Sequence, residues 1–305
     1  MAQRALFDVP APAKLNLFLH VVGRRADGFH LLQSVFVLID WCDTLHFEGR
    51  TDGRLARHDL GAALPANDLC LRAARALQAE SRTSLGVDIS IAKQVPWGAG
   101  MGGGSSDAAS TLLALNVLWD LHLPLQRLMA LGLALGADIP FFLGGRNAFV
   151  EGIGERLTPL ALPAQWLAVV KPLANVETGG IFQSPLLVRN TETVILEGLI
   201  ASAREGAACE VAECDGDFEQ ILAGFGRNDL QPPAQSICPE IGRAASLLET
   251  SFGNSRMTGS GSAVFARAGT DDQPVATMPA ALEAGWVGRM CRSLALHPLA
   301  GWAPD

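Results

Sequence analysis

Between residues 13 and 22 the chain alternates: Leu15, Leu17, Leu19 and Val21 stand against Lys14, Asn16, Phe18 and His20. A period of two belongs to a strand with two distinct faces. Residues 23–28, Gly-Arg-Arg-Ala-Asp-Gly, read as a polar turn. Strands are predicted at 34–39 and 44–47, around a turn at 40–43. Asn67 is predicted to cap a helix running to about 78, with Leu69, Ala73, Ala76 and Leu77 on one face. A strand follows at 87–91, then a glycine-rich loop, then helices at 105–118 and 125–135. A short apolar element starts at Asp138. Strands are predicted at 146–151 and 156–160, and 159–163 is the expected domain boundary. The second half reads as strand 166–170, a loop at 185–193, helices at 218–223 and 241–250, and strands at 263–268 and 286–294. The irregular alternation of strands and helices points to an α+β fold of two domains, 1–162 and 163–305, rather than a doubly wound parallel sheet.

Composition narrows the function. With 305 residues, 49% of them hydrophobic, the chain suits two packed domains. The net charge of −8 and the absence of any basic run longer than Arg24-Arg25 argue against nucleic acid as a partner. An acidic surface also repels polyphosphates at a distance, so a nucleotide site has to be built locally. The six cysteines form no C-x-x-C pair and read as free thiols of a reducing cytoplasm. The apolar stretch 128–137 is only ten residues long, half of what a membrane span of about 20 residues needs. No metal-ligand spacing is found. His20, His46, His58, His122 and His297 read as structural or surface residues, and the acidic run from Glu205 to Glu219 as a solvated face.

The richest stretch is Pro96, Trp97, Gly98, Ala99, Gly100, Met101, Gly102, Gly103, Gly104, Ser105 and Ser106. Five glycines in seven residues carry a heavy conformational-entropy cost. Bracketed by an apolar strand and an apolar helix, they read as a backbone cradle for an anion at a helix N-terminus, not as a linker. The hydroxyls of Ser105 and Ser106 add donors or support a magnesium ion. No lysine follows, so this is no Walker loop. Gly98, Gly100 and Gly103 spell G-x-G-x-x-G, which keeps a nicotinamide-dinucleotide dehydrogenase as a rival. Against it, residues 93–97 separate strand from glycine, and Asp120 closes a helical run instead of a second strand.

The pattern P-x-G-x-G-x-G-G-G-S-S-x-A-A at 96–109 resembles the phosphate loop of the small-molecule kinase superfamily that includes galactokinase, homoserine kinase and mevalonate kinase. Ala13-Lys-Leu-Asn-Leu17 and the second glycine turn at 256–265, Arg-Met-Thr-Gly-Ser-Gly-Ser-Ala-Val-Phe, stand in that superfamily's order. Within it, residues 12–19, 23–30, 135–142 and 259–262 are similar to the kinases of 4-diphosphocytidyl-2-C-methyl-D-erythritol; homoserine- and mevalonate-type kinases are the alternatives. The resemblance implies an N-terminal domain like the second domain of ribosomal protein S5, a ferredoxin-like C-terminal domain, and a site in the cleft between them. It implies ATP and Mg²⁺, a small-molecule substrate, and a cytoplasmic enzyme, monomeric or weakly dimeric, with neither nucleic acid nor membrane as partner. It assigns Asp138 as the base for the substrate hydroxyl and Lys14 as the cation beside it. Residues 96–106 would hold the triphosphate. Phe29 would stack on cytosine, where the family often has Tyr, and His30 would read the pyrimidine edge. Asn16 would contact substrate, Phe182 would form a second aromatic clamp, and Thr178 would touch the diphosphate or the sugar alcohol. Carboxylates are weak bases for alcohols, so positioning and charge stabilisation carry much of the expected catalysis.

Overall fold

A computed structural model describes residues 4–66, 68–196 and 224–304. Its first two elements are long antiparallel strands, β1 (Ala5–Arg24) and β2 (His30–Arg50), joined by the turn expected at 23–28. The alternation in β1 is real, but both of its faces are covered, so Phe18 and His20 are buried along with the leucines. Register slips flank Lys14 and Asn16, between Pro12 and Lys14 and between Asn16 and Leu19. Such bulges re-aim side chains and leave room for a proline.

The turn expected at 40–43 is absent: β2 runs straight through it. Both aspartates that suggested a turn have partners distant in sequence. Asp40 accepts from the Arg292 backbone N–H at 2.9 Å. Asp43 accepts from the backbone of Gln94 and Val95 at 2.6 and 2.8 Å. Satisfied in this way, they cost the strand little.

β3 (Leu55–Asp59) and β4 (Gly86–Ala92) are parallel, joined by α1 (Leu69–Ser81). The observed cap of α1 is Asp68, which accepts from Leu71 N–H; Asn67 lies outside the described residues. α2 (Gly103–Leu118) begins two residues before the position expected from sequence and is buried almost throughout, as an apolar helix must be. α3 (Leu125–Leu135) and α4 (Ile139–Gly144) pack near it, and β5 (Ala148–Gly152) and β6 (Arg156–Pro159) extend the sheet from β2. The second half supplies β7 (Trp166–Lys171), α5 (Thr178–Gln183), α6 (Gln231–Ile237), α7 (Pro239–Phe252), β8 (Arg256–Met257), β9 (Val264–Arg267) and β10 (Val287–Leu294). The helix expected at 218–223 and the acidic run lie outside the described residues.

Strand order among the described residues is β3-β4-β2-β10-β7-β9-β8, with β1 and β5 also on β2. β10 pairs with β7 and also touches β2 at Ile39 and Leu38, so one sheet passes through both halves. Beyond β10 the chain doubles back. His297 N–H donates to Gly145 O, Leu125 N–H donates to Pro304 O, and Leu299 and Ala303 join the core beneath α2. A second cluster, including Phe18, Phe149, Leu167 and Phe265, spans the two halves.

Candidate active site

The site begins at the register slips in β1. Lys14 is only 3% exposed, and its ammonium donates to Asn16 Oδ1 at 2.6 Å. It also lies 4.3 Å from the centre of the Phe36 ring and pairs with Asp138 Oδ2 at 3.7 Å. Burial lowers the Lys14 pKa, with Asp138 pulling it back up. Asn16 is itself held: its Nδ2 donates to Ser34 Oγ at 2.9 Å and its backbone N–H to Thr258 Oγ1 at 2.9 Å. Asp138 occupies the N-cap position of α4, yet its side chain makes no capping hydrogen bond. The carboxylate faces the lysine instead.

The two glycine-rich segments pack against each other. Gly98 and Gly100 have positive φ, and Ser262 N–H and Ala263 N–H donate to Gly98 O and Ala99 O at 3.1 and 3.2 Å. A Cβ on Gly100 would lie 2.4 Å from Thr258 O, and one on Gly259 would lie 2.5 Å from Gly100 O. One demand on the glycines is therefore backbone against backbone, in addition to the anion approach inferred from sequence. Asn228 braces the second turn by donating to Met257 O and Gly259 O at 2.7 and 2.8 Å. Lys14 N–H donates to Met101 O at 2.9 Å, which ties the first loop to β1.

A cavity of about 790 Å³ opens here. Lys14, Asn16, Phe29, His30, Asp138, Thr178, Phe182, Gly100 and Gly102 all line it, so every residue expected to contact substrate from sequence meets at one surface. Phe29 is exposed and available for stacking. His30 stacks on Phe182 with ring centres 4.8 Å apart and planes 21° from parallel. The His30 Nε2 is buried with no hydrogen-bond partner, and burial, then Arg189 and Arg24, lower its pKa. Thr178 Oγ1 shares a 2.8 Å hydrogen bond with Ser260 Oγ, joining α5 to the second turn. Pro96, Trp97, Gly98, Ala99, Met101, Gly103, Gly104, Ser105 and Ser106 lie outside the cavity lining. Ala99 and Met101 turn their side chains into the core, leaving only their backbone for a phosphate, while Trp97 is exposed. α2 starts at Gly103, so the first free N–H groups of a sixteen-residue helix end at this loop.

Sequence reasoning missed several residues that hold this surface. Arg189 donates to Phe182 O, Ser184 O and Leu187 O, closing the C-terminal end of α5. Thr258 and Asn228 brace the second turn, and Asp43, Lys93 and Asp107 cluster under the first. Only Thr258 carried a signal, its place beside the second glycine turn. Among the described residues no group of three or more His, Cys, Asp or Glu is arranged to hold a metal, and no helix is long and apolar enough to cross a membrane.

Comparison with known proteins identifies the family. Residues 68–146 match the GHMP kinases N terminal domain and residues 207–288 the GHMP kinases C terminal domain. The chain is 62% identical to the 4-diphosphocytidyl-2-C-methyl-D-erythritol kinase of Methylibium petroleiphilum, covering 99% of this chain and 100% of that one. It is 55% identical to the protein of the same name from Polaromonas naphthalenivorans, over 98% and 96%. A crystal structure of 4-(cytidine 5'-diphospho)-2C-methyl-D-erythritol kinase superposes with a TM-score of 0.71 at 31% identity, over 92% of this chain and 98% of that one. Homoserine kinase from Cytophaga hutchinsonii shares the fold, with a TM-score of 0.67 at 14% identity, over 97% and 96%. With both domain matches in order and more than half of its residues shared end to end with named relatives, the chain belongs to the GHMP kinase family, in its 4-diphosphocytidyl-2-C-methyl-D-erythritol kinase branch.

Proposed function

We propose that this chain transfers the γ-phosphoryl group of ATP to the 2-hydroxyl of 4-diphosphocytidyl-2-C-methyl-D-erythritol, giving the 2-phosphate and ADP on the methylerythritol phosphate route to isoprenoid precursors. It is a small-molecule kinase, and kinases of its family take the phosphoryl group from ATP. The observation that carries the reading is the meeting of the Lys14 ammonium and the Asp138 carboxylate, 3.7 Å apart, on the wall of a cavity that also exposes Gly100 and Gly102.

In this reading the substrate's 2-oxygen attacks the γ-phosphorus, the bond from that phosphorus to the β,γ-bridging oxygen breaks, and Asp138 takes the hydroxyl proton. Lys14, paired with Asp138, neutralises the developing charge. Asn16 holds the lysine and faces the substrate. The backbone from Pro96 to Ser106 and the N-terminus of α2 hold the triphosphate. Phe29 and Phe182 clamp the cytosine, His30 offers its unpartnered ring nitrogen to the base edge, and Thr178 contacts the diphosphate or sugar alcohol. The Ser105 and Ser106 hydroxyls, the latter buried with no hydrogen-bond partner, would help to hold Mg²⁺, which would supply charge neutralisation to the triphosphate.

The site would lie in a cleft between an S5-like domain, 1–162, and a ferredoxin-like domain, 163–305; family matches on either side of residue 162 support this division. ATP dependence and the free thiols at Cys42, Cys70, Cys238 and Cys291 fit a cytoplasmic enzyme. The test is ADP release with the cytidyl substrate against homoserine, mevalonate and galactose. The cytidyl compound is expected to win on kcat/KM by several orders of magnitude, and a preference for any of the other three would overturn the assignment.

A further inference from the structure

Beneath the first glycine loop lies a cluster that the proposed chemistry does not use. The Lys93 ammonium, at the end of β4, donates to Asp43 Oδ2 and, at 2.6 Å, to Asp107 Oδ2. The other oxygen of Asp43 accepts from two successive backbone amides, Gln94 and Val95, at 2.6 and 2.8 Å. Trp41, two residues before Asp43 on β2, donates its indole N–H to Gln94 O at 2.9 Å. Asp43 is wholly buried, Asp107 is 3% exposed, and Lys93 is mostly covered.

The connectivity is informative. Residues 93–95 lead into the loop, and Asp107 lies in the second turn of α2, just past it. β2 is the fixed wall between them. Asp43 therefore ties one end of the loop to the sheet directly and the other end through Lys93. The two ends are also in contact: a Cβ on Gly103 would lie 3.1 Å from Val95 and 3.4 Å from the Lys93 ammonium. The six residues from Pro96 to Met101 and the first N–H groups of α2 are held at the rim of this clamp. A triphosphate cradle made of backbone has no side chains to adjust. Its donor directions are set by where its ends are pinned.

Stability alone does not explain the cluster. Buried ion pairs repay their desolvation poorly compared with apolar packing. This one also leaves Asp107 Oδ1 buried without a hydrogen-bond partner. What two carboxylates around one ammonium do supply is direction, through short, charge-assisted hydrogen bonds.

We propose that Asp43, acting through Lys93 and the 94–95 backbone, is a positioning residue that sets the geometry of the nucleotide-phosphate loop and thereby the affinity and alignment of ATP. This rests on the reading of residues 96–106 as the triphosphate cradle. The tests are steady-state kinetics of both substrates and calorimetric binding of a non-hydrolysable ATP analogue, on wild type, Asp43→Asn, Lys93→Met, Lys93→Arg and the double variant Asp43→Asn/Lys93→Met. In Asp43→Asn the amide nitrogen faces the ammonium donor to donor. KM for ATP and the analogue's Kd are expected to rise at least tenfold, with KM for the cytidyl substrate changing less than twofold. Lys93→Met is expected to act alike, Lys93→Arg to restore most of the affinity, and the double variant to cost no more than the worse single one. Two results would overturn the proposal: unchanged nucleotide affinity in folded Asp43→Asn or Lys93→Met, or equal losses for both substrates, the mark of a merely structural role. Should Asp43→Asn not fold, the two Lys93 variants decide the question alone. If wild-type protein bound no ATP analogue at all, the cradle reading would fall instead, a separate outcome.

Discussion

The contact between the two glycine turns makes Gly100→Ala the sharpest test of how the site is built. Gly100 has φ +72°, and the added methyl would lie 2.4 Å from Thr258 O and 2.9 Å from Gly261 N. A left-handed backbone costs a non-glycine residue about 1–2 kcal/mol. The clash needs the turns to part by about an ångström to reach ordinary contact. Parting weakens the two bonds that cross between them, Ser262 N–H to Gly98 O and Ala263 N–H to Ala99 O, each worth about 0.5–1.5 kcal/mol. Together these give a loss of about 2–5 kcal/mol. Gly253→Ala is the matched control: it has φ +69° at the end of α7 with nothing within 4 Å of the added carbon, so it isolates the backbone cost. Urea unfolding of the three proteins gives both stabilities by linear extrapolation, and ATP-analogue binding reads the cradle. Gly100→Ala is expected to lose at least 1 kcal/mol more than the control and to bind nucleotide at least tenfold more weakly. If the two variants lost equal stability, the packing of one turn on the other would not be what requires glycine there.

Asp138→Asn is expected to lower kcat by about 10²–10⁴-fold, the usual worth of a positioned base, and Lys14→Met to do at least as much harm. Both should still bind the ATP analogue, and normal turnover in either removes that residue from the chemistry. Phe182→Ala removes the ring on which His30 stacks and one proposed face of the cytosine clamp; at about 1–3 kcal/mol for a stacked base, KM for the cytidyl substrate should rise about 5–150-fold with KM for ATP unchanged, and parallel changes in both would argue against a base site. His297 is 2% exposed, its Nδ1 accepts from Leu299 N–H, and burial lowers its pKa to about 4 from 6.5. The folded state thus resists protonation. Its contribution is complete above about pH 6.5 and is lost as pH falls toward 4, roughly 3 kcal/mol in all. His297→Asn should flatten the fall in urea stability between pH 6.5 and 4, and an unchanged slope would show that the C-terminal tail does not depend on this ring.

What the sequence disclosed and what it hid divide along a physical line. The glycine loop was legible because no packing element accommodates five glycines in seven residues, and Lys14 and Asn16 because a period of two puts them together on β1. Asp138, Phe29, His30, Thr178 and Phe182 came from family resemblance rather than from periodicity, and they line the same cavity. Asp40 and Asp43 misled because an aspartate in an apolar run looks like a turn until its partners are known, and those partners lie 252 and 51 residues away in the chain. For His297 the sequence left structural and surface roles open, and its burial settles on the structural one: the return of the C-terminal tail under α2 leaves no local pattern. Arg189 shows the limit plainly, since its bonds to the carbonyls at the end of α5 fall within a segment that reads only as loop.

The pairing of Lys14 with Asp138 also accounts for a feature of α4 that local rules do not. Aspartate before a helix ordinarily spends its carboxylate on the N–H groups of the first turn. Here Pro140 stands in that turn. It has no N–H to offer, and its ring fixes a backbone already suited to the helix. Asp138 itself has helical φ and ψ rather than the extended conformation of a cap. The helix therefore starts without drawing on the side chain, whose carboxylate stays one-third exposed beside an almost fully buried ammonium. That asymmetry suits the proposed roles. A base must reach the substrate's proton, whereas a charge that only has to persist at a fixed point is best buried and held, as Asn16, Phe36 and Asp138 hold Lys14.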